Sequence, residues 1–167
     1  NALFNSDGSG NVTTSATGLQ MTPAFHARLS ANQSYSSVTN TKIEFDTEAF
    51  DTDSCYDNST NYRFTPTVAG KYFVYSVVMF SYSSTNNNNI NVKLRKNGSD
   101  YARTKYVEYN NESNPVISLS VSTIVDMNGS TDYLEVFGYA DGTGLFFDSG
   151  GASVDETSFG AYKIIGA

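Results

Sequence analysis

Gly70-Lys71-Tyr72-Phe73-Val74-Tyr75-Ser76-Val77-Val78-Met79-Phe80-Ser81-Tyr82-Ser83 is the longest apolar run in the chain. Its β-branched and aromatic residues suit a pleated surface, and no helix former dominates it. The run therefore predicts a long β-strand. Alternate residues of a strand face opposite sides. Tyr72, Val74, Val78, Phe80 and Tyr82 fall on one face; Phe73, Tyr75, Val77 and Met79 fall on the other. Both faces are largely apolar, whereas a strand with one wet face alternates cleanly. The strand needs cover on two sides, and one core supplies only one. No helical pattern elsewhere offers the second layer. Loops of the same chain are one candidate cover and another subunit is the other. On the second reading the candidate subunit interface is Tyr72, Val74, Val78, Phe80 and Tyr82.

Outward from this run, the pattern is of short strands separated by turn signals. Before it, Phe25, Ala27 and Leu29 alternate with His26, Arg28 and Ser30, and Ile43 and Phe45 point inward from a short strand. Tyr62 and Phe64 end a further segment before Pro66. After it, Ile90, Val92 and Leu94 alternate with Asn91, Lys93 and Arg95. Asn97-Gly98 is a strong short-range hairpin signal. From Pro115 to Asp126, Ile117, Leu119, Val121 and Val125 face in, and Ser118, Ser120 and Ser122 face out. Asp132–Ala140 and Ser158–Ile165 close the series, with a glycine-rich loop, Asp141–Gly151, between them. Nine or ten strands at this spacing predict an all-β, two-sheet jelly roll. Residues 1–22 read as an N-terminal leader or shaft-connecting segment, and residues 23–167 as the domain.

Bulk properties exclude several classes of function. The 167 residues suffice for one domain with a substantial core. The single cysteine, Cys55, cannot form an internal disulfide. A net charge of −7 with few, scattered lysines and arginines argues against nucleic-acid binding through a basic face. No apolar run approaches the ~18 residues of a membrane helix. The chain opens on Asn1 rather than methionine, as a piece of a longer protein would. Charged residues make up only 16% and aromatics 14%, without tryptophan, amid abundant Asn, Ser and Thr. That surface suits extracellular adhesive β-proteins, since tyrosine gives large contact area at low entropic cost.

No zinc-ligand cluster, phosphate-cradling loop or nucleophile elbow is present. His26, the only histidine, lies mid-strand. Asp141, Asp148, Asp155 and Glu156 are the carboxylates a glycosidase would need, but they also suit solvated loops. We therefore expect no enzyme and no cofactor. Asp46, Glu48, Asp51 and Asp53 cluster on a turn as weak metal candidates, calcium being the ion such a site would take.

One family accounts for the order of these motifs. Pro23-Ala24-Phe25-His26-Ala27, Ile43-Glu44-Phe45-Asp46, Tyr56-Asp57, Tyr62-Arg63-Phe64-Thr65-Pro66, Gly70-Lys71-Tyr72-Phe73, Lys96-Asn97-Gly98 and Ser158-Phe159-Gly160-Ala161-Tyr162 resemble, in sequence order, the globular head domain of the C1q/tumour-necrosis-factor superfamily. Two places depart from the pattern. Met127-Asn128-Gly129-Ser130 replaces a Gly-Asp pair, and Gly160 sits one place early in the closing motif. The resemblance implies a ten-stranded jelly roll that forms a compact trimer. It also implies a binding and assembly role. The leader and composition are similar to C1q-like modules at the ends of phage structural proteins. On that likeness we expect the knob of a fibre or virion-surface protein, exposed on the virion or extracellular. Its partners would be other copies of itself, other virion structural proteins, and a cell-surface glycan or protein receptor. It would contact neither nucleic acid nor membrane interior. A secreted C1q-like lectin and a purely structural trimerisation or decoration module are the alternatives. Recognition would live in end loops, with Tyr82, Asn87, Asn88, Phe146 and Phe147 as candidate ligand contacts. The two phenylalanines have an alternative reading, as the start of a further strand packed inside.

Overall fold

The computed structural model describes residues 5–6, 8–9, 12–13, 20–36, 38–81, 89–107, 116–142, 145–151 and 154–165. Every regular element among them is a strand. In chain order these are β1 (Asn5–Ser6), β2 (Val12–Thr13), β3 (Ala24–Arg28), β4 (Gln33–Ser34), β5 (Thr41–Lys42), β6 (Thr47–Asp51), β7 (Tyr56–Asp57), β8 (Arg63–Phe64), β9 (Gly70–Ser81), β10 (Ile90–Lys96), β11 (Ser99–Tyr106), β12 (Val116–Met127), β13 (Leu134–Ala140), β14 (Phe146–Asp148) and β15 (Ser158–Lys163). The hairpin β1–β2 forms a two-stranded sheet of its own. A six-stranded sheet runs β11-β10-β13-β8-β7, with β5 also on β13. A seven-stranded sheet runs β4-β14-β9-β15-β3-β6, with β12 on the other edge of β9. The two larger sheets enclose one core as a jelly-roll sandwich.

β9 is the strand that the long apolar run predicts. β12 pairs with it along its whole length, from Val116↔Ser81 to Met127↔Gly70. Its other edge is shared, β15 pairing residues 72–77 and β14 residues 79–81. Thr157 bridges the break between these two partners. Its hydroxyl accepts the Met79 N–H at 3.0 Å and donates to the Asp148 carbonyl at 2.5 Å.

The core is aromatic. Phe25 stacks on Tyr56 at 4.6 Å and on Phe64 at 4.7 Å, and meets Phe159 edge-on at 4.9 Å. Two tyrosine hydroxyls of the core find partners: Tyr56 donates to the Phe45 carbonyl and Tyr72 to the Val68 carbonyl. Without them each would carry the cost of an unsatisfied buried polar group. β12 alternates as its sequence predicts, with Leu119, Val121, Val125 and Met127 buried and Ser118, Ser120 and Ser122 exposed. Asn97 and Gly98 carry φ of 52° and 80°. Two positive values are what a tight hairpin turn demands, and Asn-Gly tolerates them.

The region 141–151 differs from the loop that its glycines suggest. Residues 146–148 form β14, paired with β4 and β9. Phe147 is 0% exposed, stacked on Tyr35 at 4.2 Å and edge-on to Phe80 at 5.5 Å. Its ring fills the space above Gly138, where a Cβ would collide with it. Phe147 is therefore a core residue and not part of an exposed contact patch. Phe147→Ala should cost about 3–5 kcal/mol and Leu119→Ala about 2–5 kcal/mol, as large-to-small core changes do. Ser120→Ala, on the wet side of the same strand, should cost under about 0.5 kcal/mol. Urea titration of the three variants checks the order; equal losses at Leu119 and Ser120 would refute the register.

The Tyr56-Asp57 motif has a local physical reason. The Asp57 carboxylate accepts backbone N–H groups from Ser59, Thr60 and Asn61, and the Asn61 side-chain amide at 2.7 Å. It thereby closes the turn between β7 and β8. These bonds hold its pKa down at about 2, against 3.8 for a free aspartate. A depressed folded-state value means the contribution is complete above the free value and disappears as pH falls from about 4 to about 2. Asp100 and Asp132 are shifted the same way by their lysine partners and hydrogen bonds. Acid titration of thermal stability should show a shallower decline below pH 4 in Asp57→Ala than in the wild type.

Candidate functional site

The outer face of the seven-stranded sheet is a set of cross-strand rows. The first row runs Ile124 (β12), Phe73 (β9), Tyr162 (β15), Ala24 (β3). The second runs Ser122, Tyr75, Gly160, His26 and Phe50 (β6), and the third Ser120, Val77, Ser158, Arg28 and Thr47. Met79 follows, opposite Ser118. Aromatic neighbours lie close: Phe73 is 5.5 Å from Tyr162 across the strands and 6.2 Å from Tyr75 along its own, and His26 stacks between Tyr75 and Phe50. Ile124 is 52% and Phe50 51% exposed. Neighbouring apolar side chains of this kind on a sheet's outer face make it a candidate contact surface.

A polar chain crosses the middle of this face. Tyr75 Oη lies 3.1 Å from His26 Nδ1, and His26 Nε2 lies 3.3 Å from Asp155 Oδ2. Arg28 Nε reaches the other oxygen of Asp155 at 3.3 Å. Tyr75 and His26 stand two strands apart, on β9 and β3, with β15 between them. The hydroxyl spans that gap because Gly160 lies beneath it, and a Cβ there would collide with the Tyr75 phenol. The early glycine of the closing motif is thus the space that the tyrosine occupies. Burial, then Tyr162 and Asp155, push the Tyr75 pKa up, so the phenol stays protonated.

The sequence-predicted residues divide unevenly. Tyr72, Val74, Val78 and Phe80 are at most 1% exposed and line the chain's own core, so they do not form a subunit interface. The partner strands decide this: Phe159 and Ala161 of β15 turn inward beside them, leaving Gly160 and Tyr162 outside. The opposite side of the same strand, Phe73 to Met79, carries the outer surface. Tyr82, Asn87 and Asn88 lie outside the described residues. Phe146 pairs through its backbone with Ser34 and Ser81. His26, Phe50, Ile124 and Tyr162 were not among the predicted site residues. Their signal was the alternation of β3, β12 and β15, which shows a face only once the strand order is known.

The acidic turn is not assembled around a common point. Asp46 accepts the Ser30 N–H at 2.8 Å, Asp51 accepts the Tyr56 N–H at 2.8 Å and the Cys55 thiol at 3.3 Å, and Asp53 accepts the Thr52 hydroxyl at 2.7 Å. Burial, followed by the Asp51 charge, raises the Cys55 pKa, leaving a protonated thiol. Among the described residues no group of three His, Cys, Asp or Glu side chains, Glu48 included, could hold a metal ion. The carboxylates considered for hydrolysis are likewise engaged separately. Asp148 accepts the Ser81 hydroxyl, Asp141 the Asn89 N–H, and Asp155 holds His26 and Arg28.

Comparison with known proteins agrees with this architecture. A search of curated protein sequences finds no significant match. Among solved structures, the Eiger TNF of S. frugiperda superposes with a TM-score of 0.60 at 14% identity, covering 86% of this chain and 93% of that one. Murine APRIL superposes with a TM-score of 0.60 at 12% identity, covering 84% and 98%. At these identities the likeness establishes the fold alone. The family model described as C1q domain matches residues 24–154, most of the sandwich, and the chain belongs to that family.

Proposed function

We propose that this chain is a non-enzymatic binding and assembly module that works as a homotrimer, with the outer face of the seven-stranded sheet as its assembly surface. The observation that carries the reading is the row Ile124-Phe73-Tyr162 beside Tyr75, His26 and Phe50, a set of neighbouring rings on a sheet with no further layer of its own chain described over it. A closed ring of three copies needs two different patches on each copy. The second patch is the seam between β11 and β12, where Tyr101, Tyr106, Val107 and Val116 are exposed. Strand addition at this seam is blocked, because Thr104 and Tyr101 already donate to the carbonyls of Ser120 and Ile124. The neighbour is therefore held by side chains. The finer reading is the terminal knob of a fibre or virion-surface protein that touches a host-cell glycan or protein. It rests on the low charge, the Asn-, Ser- and Thr-rich composition, and the amide-rich sequence of residues 82–88.

Light scattering should return three times 18.1 kDa for the wild type. Val77→Glu buries a charge at the proposed contact and should give the single-chain mass, with the β-type circular dichroism intact. A wild type that remains monomeric at micromolar concentration would refute the assembly. A stable trimer that adheres to no candidate host cell would retain the structural role and remove the receptor.

A further inference from the structure

His26 is the single histidine of the chain, and it stands in the middle of the proposed assembly face. Its side chain is 17% exposed, and both ring nitrogens are engaged. Nε2 meets Asp155 Oδ2 at 3.3 Å, and Nδ1 meets Tyr75 Oη at 3.1 Å. These partners fix the direction of both bonds. A carboxylate only accepts, so Nε2 carries the ring proton and donates it to Asp155. Nδ1 is then an acceptor, and the Tyr75 hydroxyl donates to it. Burial holds that phenol in its protonated form. The arrangement therefore fits the neutral imidazole, and Tyr75 places its only hydroxyl hydrogen inside its own chain.

Charge around the ring is balanced in that state. β3 supplies Arg28, whose Nε pairs with Asp155 Oδ1 at 3.3 Å. The stretch before β15 supplies Asp155, and β15 itself places Gly160 opposite His26 and Tyr162 in the next row. β9 supplies Tyr75, and β6 supplies Phe50. One cation stands against one carboxylate. β6 also carries Glu48, in register with the inward Ala27 rather than with His26. The second patch, along β11 and β12, adds no free carboxylate among the described residues. Asp100 is held by Lys93 and Arg95, and Asp126 by Lys71, while Arg103 and Lys105 are exposed.

We infer that His26 makes the assembly acid-sensitive: protonation of its ring releases single, folded chains. The inference rests on the assembly reading and deepens it by naming how that contact is regulated. A protonated imidazole donates from both nitrogens. Nδ1–H then turns against Tyr75 Oη, the hydroxyl must accept, and its own hydrogen swings out of the sheet towards whatever covers it. Each copy also gains one positive charge, because Asp155 now stands against two cations. On a single chain both changes are tolerated, since water accepts the tyrosine hydrogen and Asp155 keeps both partners. Inside a closed contact neither is. An imidazolium loses hydration, a hydroxyl lacks an acceptor among apolar rings, and a ring of three copies repeats the charge three times. Dissociation therefore takes up protons. The assembly is complete above the range in which histidine titrates and weakens as pH falls through it. The carboxylates with depressed pKa values, Asp57, Asp100 and Asp132, act on stability at lower pH, so release precedes acid unfolding.

The test is light scattering on the full chain from about pH 8 to about pH 5 at constant salt, with circular dichroism on the same samples. The mass should fall from three times 18.1 kDa towards a single chain as pH drops below about 7, with the β-type spectrum intact, and recover when pH is raised. The apparent dissociation constant should rise about ten-fold or more over two pH units. His26→Gln keeps a group that accepts from Tyr75 and donates to Asp155 but takes up no proton, and it should lose the pH dependence. Glu48→Gln removes the other group on β6 whose pKa is raised, by burial and then by Asp51, and should keep it. With one histidine in the chain, its ring proton is also resolved by NMR in the wild type. Across the concentrations over which the mass changes, its titration midpoint should move to lower pH as concentration rises, which a merely structural histidine does not do. That measurement decides the matter should His26→Gln fail to assemble. A midpoint independent of concentration, an unchanged acid response in His26→Gln, or loss of mass only together with the β-type spectrum overturns the inference. A trimer at pH 8 that ignores acid removes this inference alone, whereas a single chain at pH 8 removes the assembly reading and this inference with it.

Discussion

β9 is hydrogen-bonded along both edges and apolar on both faces, and the rest of the molecule meets those demands. Twelve register pairs with β12 satisfy one edge. The other edge is divided between β15 and β14, and the break falls where a ladder bond would be lost. The buried Thr157 hydroxyl supplies the missing acceptor for Met79 and returns its own proton to Asp148. A backbone donor left unpaired at such a depth costs on the order of 1–3 kcal/mol. The single threonine is therefore a condition for one long strand to have two successive partners. The inner face is met by the aromatic core. The outer face has no further layer of the described chain, which is why the proposed assembly surface is placed there.

Strand existence was legible because alternation and turn chemistry are local. The in–out pattern of Leu119, Ser120 and Val121 and the Asn97-Gly98 turn follow from a few adjacent residues. The inside of β9 was not legible for an equally physical reason. Periodicity separates two faces but assigns neither to the core when both are apolar, and here both are aromatic too. The assignment comes from residues more than eighty positions away, where β15 turns Phe159 and Ala161 inward and presents Gly160 and Tyr162 outward. Phe147 misled in the opposite sense. Glycines at 142, 144, 150 and 151 imitate a loop, while the slot that accepts its ring is the missing side chain of Gly138 on another sheet. Scattered lysines in the sequence likewise become a patch only after β10 and β11 are laid side by side.

The two sheets have divided the chemistry between them. The seven-stranded sheet puts rings and small hydroxyls on its outer surface, with charge at Lys71 and Asp126 towards one end and at Asp148 and the Arg28–Asp155 pair towards the other. The six-stranded sheet covers Phe137 and the adjoining Tyr133 with guanidinium groups and turns cations outward. In a chain with only 16% charged residues this separation has a consequence for association. A face whose few charges are paired within one copy can meet another copy at a smaller desolvation cost than one that would bury Arg103 or Lys105 without a partner.

The Tyr75–His26–Asp155 chain gives the aromatic face something that rings alone lack. Apolar stripes are tolerant, since a neighbour displaced along a sheet by one residue pair still buries similar area. Hydrogen-bonding groups are directional, and those placed within an apolar contact penalise displacements that leave them unpaired. Here the polar groups are already satisfied within one copy, through Tyr75 Oη, both imidazole nitrogens and Arg28. They can enter a contact without demanding a partner, yet they form a fixed feature that a second surface must fit around. Gly160 is what lets that feature exist. Its missing Cβ lowers the tyrosine into the sheet surface, so that the hydroxyl lies across β15 instead of standing up from it. The departure from the family motif at this position is therefore coupled to the single histidine 134 residues earlier, through one phenol that touches both.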